Sequence, residues 1–151
     1  MRSLLSVSGQ VQLEFLDRDG NVLQTQHHNQ VVYGGLKWVV DRIINGNAGT
    51  TVGFIAMGDG TTPTTPNDVA LAHETARMAL LAPGVREEVI LDRPSANYTA
   101  MFDVGTGTGN VTELGLFLAS GVMAARTVFS TQIKSSTTSI RVKWTLTLKA
   151  S

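Results

Sequence analysis

Ile140-Arg141-Val142-Lys143-Trp144-Thr145-Leu146-Thr147-Leu148-Lys149 is the stretch that decides the fold class. Ile140, Val142, Trp144, Leu146 and Leu148 alternate without a break with Arg141, Lys143, Thr145, Thr147 and Lys149. Successive side chains on a strand point to opposite faces, so the pattern predicts a strand with one buried and one wet face. Phe15 and Phe102 fall on the apolar faces of other predicted strands, so with Trp144 they are expected in the core.

Working outward, the same period-2 signal recurs. Val11-Gln12-Leu13-Glu14-Phe15 alternates, Asp19-Gly20 supplies turn residues, and Val22 to Gln26 reads as the returning strand of a hairpin. Gly53-Phe54-Ile55-Ala56-Met57 reads as a short buried strand that ends at Gly58-Asp59-Gly60. A Thr/Pro loop from Thr61 to Asp68 follows, where proline stiffens the chain and removes ladder donors. Ala70 to Leu81 has a helical composition, yet Arg77 to Leu81 suits the start of a strand equally well. From Glu87 onward the chain reads as β: Tyr98, Ala100, Phe102 and Val104 alternate with polar neighbours, and Gly105 to Asn110 is a Gly/Thr loop. Leu114, Leu116 and Leu118 form a further strand, and Gly121 turns the chain into Met123 to Phe129.

One helix is predicted. Val32, Leu36, Val39, Val40 and Ile43 recur at helical spacing, with Lys37, Asp41 and Arg42 off that stripe. Asn29 is the expected N-cap and Gly46 the expected C-cap, and the apolar stripe is expected to pack on the sheet. Short strands at roughly 8–12-residue spacing with Gly-rich turns predict a mainly β protein. The expected architecture is an antiparallel β-sandwich, jelly-roll-like, with one packed α-helix, in a single domain over residues 1–151. Residues 1–9 have no partner in the pattern and are expected to form an N-terminal arm laid on a neighbour.

Composition narrows the function classes. Hydrophobic residues are 42% and charged residues 16% of the 151, against a usual charged share of about 25%. Lys plus Arg number 12 and Asp plus Glu number 12, so the formal net charge is zero and the basic footprint of a nucleic-acid binder is missing. Near-zero charge favours association over mutual repulsion. With no cysteine, disulfides, thiolate metal sites and cysteine nucleophiles are excluded. The longest apolar run, near Val31 to Ile44, is broken by Gly34, Gly35, Lys37, Asp41 and Arg42, so no membrane span is expected. The first nine residues hold too short an apolar stretch for a signal peptide, and synthesis without secretion is expected.

Motifs that carry chemistry each fall short. Asp17, Asp19 and Asn21 have calcium-loop spacing, but Val22 and His28 stand where Gly and Glu are required, so a turn is expected. Gly105-Thr106-Gly107-Thr108-Gly109-Asn110 lacks the third glycine and the helix of a dinucleotide loop. His27 and His28 point to opposite faces of a strand, and no second histidine completes a zinc motif with His73-Glu74. Glu87 and Glu88 diverge in the same way. The expectation is therefore no catalytic, cofactor-binding or metal-ligating residue, no cofactor and no enzyme activity. Trp38 is the one aromatic expected to lie exposed beside the helix, where it would serve a glycan-binding platform.

Two blocks of sequence carry a resemblance. The first is Phe54-Ile55-Ala56-Met57-Gly58-Asp59-Gly60-Thr61-Thr62-Pro63, continuing through Asn67-Asp68 and Leu71 to Glu74 and Arg77. The second is Val111-Thr112-Glu113-Leu114-Gly115-Leu116-Phe117, then Ala124-Ala125-Arg126 and Trp144 to Leu148. With Asn29 to Leu36 upstream, this arrangement resembles small structural proteins of tailed bacteriophages, including the fibre-attachment domains of tail-collar fibre proteins, over roughly residues 10–148. The fibre-domain relatives continue into a shaft where this sequence ends at Ser151, which suits a stand-alone module. The resemblance implies a non-enzymatic virion component made in the bacterial host cytoplasm, of the tail, neck, baseplate or fibre-attachment kind. It implies other virion proteins as partners, homo-oligomers that are often trimers, and no nucleic acid, membrane or cofactor. A capsid-decorating protein of the head and a host-glycan-binding adhesion module are the alternative expectations.

Overall fold

The computed structural model describes residues 5–45, 50–82, 85–87 and 94–150. The chain runs β1 (Leu5–Leu16), β2 (Val22–His28), β3 (Gln30–Val31), α1 (Tyr33–Asn45), β4 (Val52–Gly58) and β5 (Glu74–Ala79). It continues through β6 (Val85–Glu87), β7 (Ser95–Phe102), β8 (Gly109–Leu118), β9 (Met123–Lys134) and β10 (Ser139–Ala150). The strands form two five-stranded antiparallel sheets, ordered β2-β1-β10-β7-β6 and β3-β9-β8-β4-β5. This is the mainly β sandwich with one helix that the alternating patterns predict.

The decisive strand sits at the centre of the first sheet. Trp144 of β10 lies opposite Val11 of β1 and Tyr98 of β7, and Ile140, Val142 and Trp144 are fully buried. They meet Ile55, Met57, Leu114 and Leu116 of the second sheet in one continuous core. Phe15 and Phe102 lie in it too, as their alternation requires.

The chain crosses between the sheets four times, after β2, β5, β7 and β9, and the first two crossings lie at opposite edges of the sandwich. The chain leaves the first sheet at the end of β2 and enters the second as β3, with Asn29 at the corner, where its N–H donates to the Gly9 carbonyl. Beyond β5 it returns: Leu80 N–H donates to Gly53 of β4, and Leu81 N–H donates to Thr99 of β7. At the first corner His27 stacks on Phe129, ring centroids 4.4 Å apart. Burial there pushes the His27 imidazole below its ordinary value, so the stacked ring is favoured neutral.

Two expectations are corrected, a third falls outside the described residues, and one open alternative is decided. Leu5 to Gly9 do not form an arm: they are the first half of β1, paired with Ala150 to Leu146, while residues 1–4 lie outside the described residues. Asn29 does not cap the helix, because its Oδ1 accepts the Trp144 Nε1–H at 3.1 Å. The expected C-cap, Gly46, lies outside the described residues. Of the two conformations open to Ala70 to Leu81, the strand is the one formed: bends lead into β5, which starts at Glu74, before Arg77, and ends at Ala79.

Trp144→Phe tests the corner. The substitution keeps most of the apolar volume but leaves the buried Asn29 amide, whose Nδ2 has no hydrogen-bond partner, unpaired at Oδ1 as well. A loss of roughly 1–3 kcal/mol in unfolding free energy is expected from urea titration.

Candidate functional site

β8 is buried on both faces from Val111 to Leu118. Leu114, Leu116 and Leu118 face the core between the sheets. On the other face Phe117 joins Val32, Ala56, Leu71 and Met123 in a second, smaller cluster beneath the Thr/Pro segment. The Arg77 guanidinium lies 4.0 Å from the centre of the Phe117 ring and pairs with Glu74, covering the rim of that cluster.

Two charges lie under this cover. Glu113 of β8 is fully buried and Arg126 of β9 is nearly so. Arg126 Nε and Nη2 donate to Glu113 Oε2 at 3.1 and 2.8 Å. The rest of the guanidinium reaches into the loop, donating to Asp68 Oδ2 at 2.9 Å and to the Thr62 and Pro63 carbonyls at 2.9 and 3.4 Å. All five guanidinium N–H groups therefore have acceptors. Glu113 also accepts from the backbone N–H of Gly60, Ala72 and His73 at 3.1, 3.0 and 2.8 Å. Thr112 Oγ1 donates to the Gly60 carbonyl at 2.7 Å. The loop from Asp59 to His73 is thus pinned at both ends and in the middle.

The electrostatics follow from this crowding. Burial alone would raise the Glu113 carboxyl, but donors from His73, Arg126 and Ala72 outweigh it and hold the group below its ordinary 4.5. Asp68 behaves alike, burial being outweighed by Thr65 N–H and Arg126. For Arg126, burial opposes the charge but the two carboxylates overcome it and raise its pKa. With its oxygens occupied by protein donors, Glu113 is arranged to hold a loop and not to exchange protons with a substrate.

Other singled-out residues fall into structural places. Asp17 accepts from the N–H of Asp19 and Asn21, both at 2.9 Å, and so closes the β1–β2 turn. Gly105, Gly107 and Gly109 adopt positive φ in the β7–β8 connection. His73 is exposed and pairs with Asp59, whose hydrogen bond and charge raise its pKa, while Glu74 pairs with Arg77. His28 follows inward-facing His27 on β2 with its side chain exposed, whereas Glu88 lies outside the described residues. Among the described residues no group of three His, Cys, Asp or Glu side chains is placed to hold a metal ion. No described helix is long and apolar enough to cross a membrane.

The helix departs furthest from expectation. Its start is fixed by the locked loop, since Tyr33 N–H donates to the Pro66 carbonyl at 2.9 Å. Gly34 and Gly35 bring the helix backbone against the Met123 and Ala124 carbonyls of β9, where a Cβ would clash. Trp38 is half-buried against the core and donates Nε1–H to the Thr50 carbonyl at 2.8 Å, so it is not the exposed platform expected of it. Arg42 donates to the same carbonyl at 3.1 Å. Of the predicted stripe, Val32 is fully buried and Val39 half-buried. With Gly35, Trp38 and Arg42 facing inward, the rest turns outward with its neighbours Tyr33 and Ile44: Tyr33, Leu36, Val40, Ile43 and Ile44 are 59, 38, 50, 70 and 72% exposed. A hollow of about 410 Å³ between α1 and the first sheet, lined by Val7, Val39, Ile43, Tyr98, Leu146 and Leu148 among others, adjoins this stripe.

Glu113, Arg126 and Asp68 belong to the motif blocks quoted above, yet their convergence was not foreseen. The signal was a lone charge inside an apolar run, Glu113 within Val111 to Leu118 and Arg126 within Met123 to Phe129. No family model, curated protein or solved structure matches the chain.

Arg126→Met tests the lock. Leaving Glu113 buried without its cation is expected to cost about 3–5 kcal/mol at pH 7 by urea denaturation. The two carboxylates have folded pKa values below their unfolded ones, so their stabilisation is complete above about pH 4.5 and is lost as pH falls through the folded values. The Arg126→Met penalty is therefore expected to shrink as pH falls below about 4.5, because burial without the cation favours the protonated Glu113 carboxyl in the variant.

Proposed function

We propose that this chain is a non-enzymatic structural subunit of a tailed-phage virion, of the tail, neck, baseplate or fibre-attachment kind, which works by binding other protein surfaces. The observation that carries the assembly role is the outward apolar face of α1. A helix apolar on both sides belongs in an interior, and this one has only Lys37, Asp41, Arg42 and Asn45 as polar residues along its 13. Exposed, contiguous apolar surface on a soluble domain marks a contact site.

The phage assignment draws its support from the resemblance. Gly60, Asp68, Glu113 and Arg126, all within the two blocks that carry it, meet at one lock that braces a loop beside the helix. A braced loop costs little ordering entropy when it docks, which suits a subunit fitted into an assembly. Homo-oligomers and contacts to other virion proteins follow from the same role. The glycan-binding alternative loses its platform with Trp38 half-buried.

Immunogold electron microscopy of phage particles, with antibody to this chain, tests the reading. Gold at the neck or tail is the expected result. Label confined to heads would make it a decoration protein, and particles without label, beside a working coat-protein control, would refute the virion role.

A further inference from the structure

The contact role proposed for α1 leaves its partner unnamed, and the charges along the stripe narrow the choice. Tyr33, Leu36, Val40, Ile43 and Ile44 lie on one side of the helix, directly opposite the side that Gly35 and Trp38 press against the sandwich. One flank of this stripe carries Lys37 and Asp41, joined at 2.6 Å and both exposed. The other flank carries Val39 and Ile43, which line the apolar hollow.

We infer that a second copy of this chain covers the stripe, its α1 packed antiparallel to the first about a two-fold axis crossing near Val40. The reason is the arrangement of the flanks. In an antiparallel pair about such an axis each flank meets its own counterpart, so residue i faces j and j faces i. Lys37 of each copy then lies near Asp41 of the other, because four residues span only about 6 Å of helix. Leu36 reaches toward Ile43 and Ile44 of the second copy, and Val40 meets Val40. The apolar flanks with their hollows also meet, so apolar surface is covered by apolar surface. A parallel pair would instead set the Lys37–Asp41 flank of each copy against the apolar flank of the other, burying charge without a partner. A formal net charge of zero adds no long-range repulsion between copies. The contact centres on one 13-residue helix, so it belongs to the small, concentration-dependent class of interfaces.

Analytical ultracentrifugation of the full chain over a wide concentration range tests this. The weight-average mass is expected to rise from one copy to two. Val40→Glu is expected to weaken the association at least 10-fold, and Lys37→Glu to weaken it by setting a new carboxylate against Asp41 of the second copy. The charge-swapped Lys37→Glu/Asp41→Lys chain is expected to recover the wild-type association. Because the chain has no cysteine, Val40→Cys offers a second measurement that needs no disruptive change. Mild oxidation is expected to link it into covalent dimers, while the similarly exposed Val104→Cys stays unlinked.

A chain that stays monomeric throughout, a mass of three copies, or a charge swap that fails to recover association would each overturn the antiparallel pair. Particle labelling keeps the two readings apart. A monomer in solution that still labels on virions removes the second copy and leaves the assembly role, with another virion protein on the stripe. A dimer whose particles carry no label does the reverse.

Discussion

The ion pair between Glu113 and Arg126 is the interaction on which the rest of this structure depends. Taking two charges out of water is costly, and here the cost is offset because every guanidinium N–H and both carboxylate oxygens have partners. Those partners are largely backbone groups of the Asp59–His73 segment. The pair therefore closes a loop that has no sheet ladder of its own over the outer face of β8. That cover makes a buried strand out of one that would otherwise expose Phe117. It also sets the Pro66 carbonyl where α1 begins, so the direction of the helix is fixed from the same point.

Neutral hydrogen-bonding side chains at positions 113 and 126 would bury more cheaply but would hold the loop less specifically. A carboxylate presents two oxygens to several donors at once, and a guanidinium presents a planar fork that reaches three separate points of the loop. Only 16% of this chain is charged, and three of those charges are gathered in one place, two of them buried and Asp68 at its rim. The lock defines shape, and the outward helix beside it defines where that shape meets something else.

Much of the fold was legible because strand alternation depends on the local chain alone. β10, the β1–β2 hairpin and the inward set Phe15, Phe102 and Trp144 follow from a period of two, which tertiary context does not alter. The helix was legible as a helix but not in its orientation. Periodicity gives the angular position of an apolar stripe without saying which side faces the protein. Here Gly34 and Gly35, short enough to let the backbone touch β9, overrode the stripe. Asn29 looked like a cap because it stood before the helix, whereas a buried indole N–H from 115 residues away claimed its oxygen. Leu5-Ser6-Val7-Ser8 carries the same alternation in phase with Val11 to Phe15, but it is short and broken by Gly9, and pairing with β10 is what makes it strand. The Glu113–Arg126–Asp68 set needed contacts across 13 and 58 residues, which no local pattern encodes.

The pairing of β1 with β10 has a mechanical side. The two strands run antiparallel over 12 matched positions, from Leu5 opposite Ala150 to Leu16 opposite Ser139. Tension pulling Leu5 and Ala150 apart would load that ladder one rung at a time, as a zipper opens. Tension between Leu5 of β1 and Ser139 of β10, at opposite ends of the ladder, would load all the rungs together in shear. The same sandwich is thus compliant to one direction of pull and stiff to the other. The direction in which a neighbour grips it decides how firmly it holds.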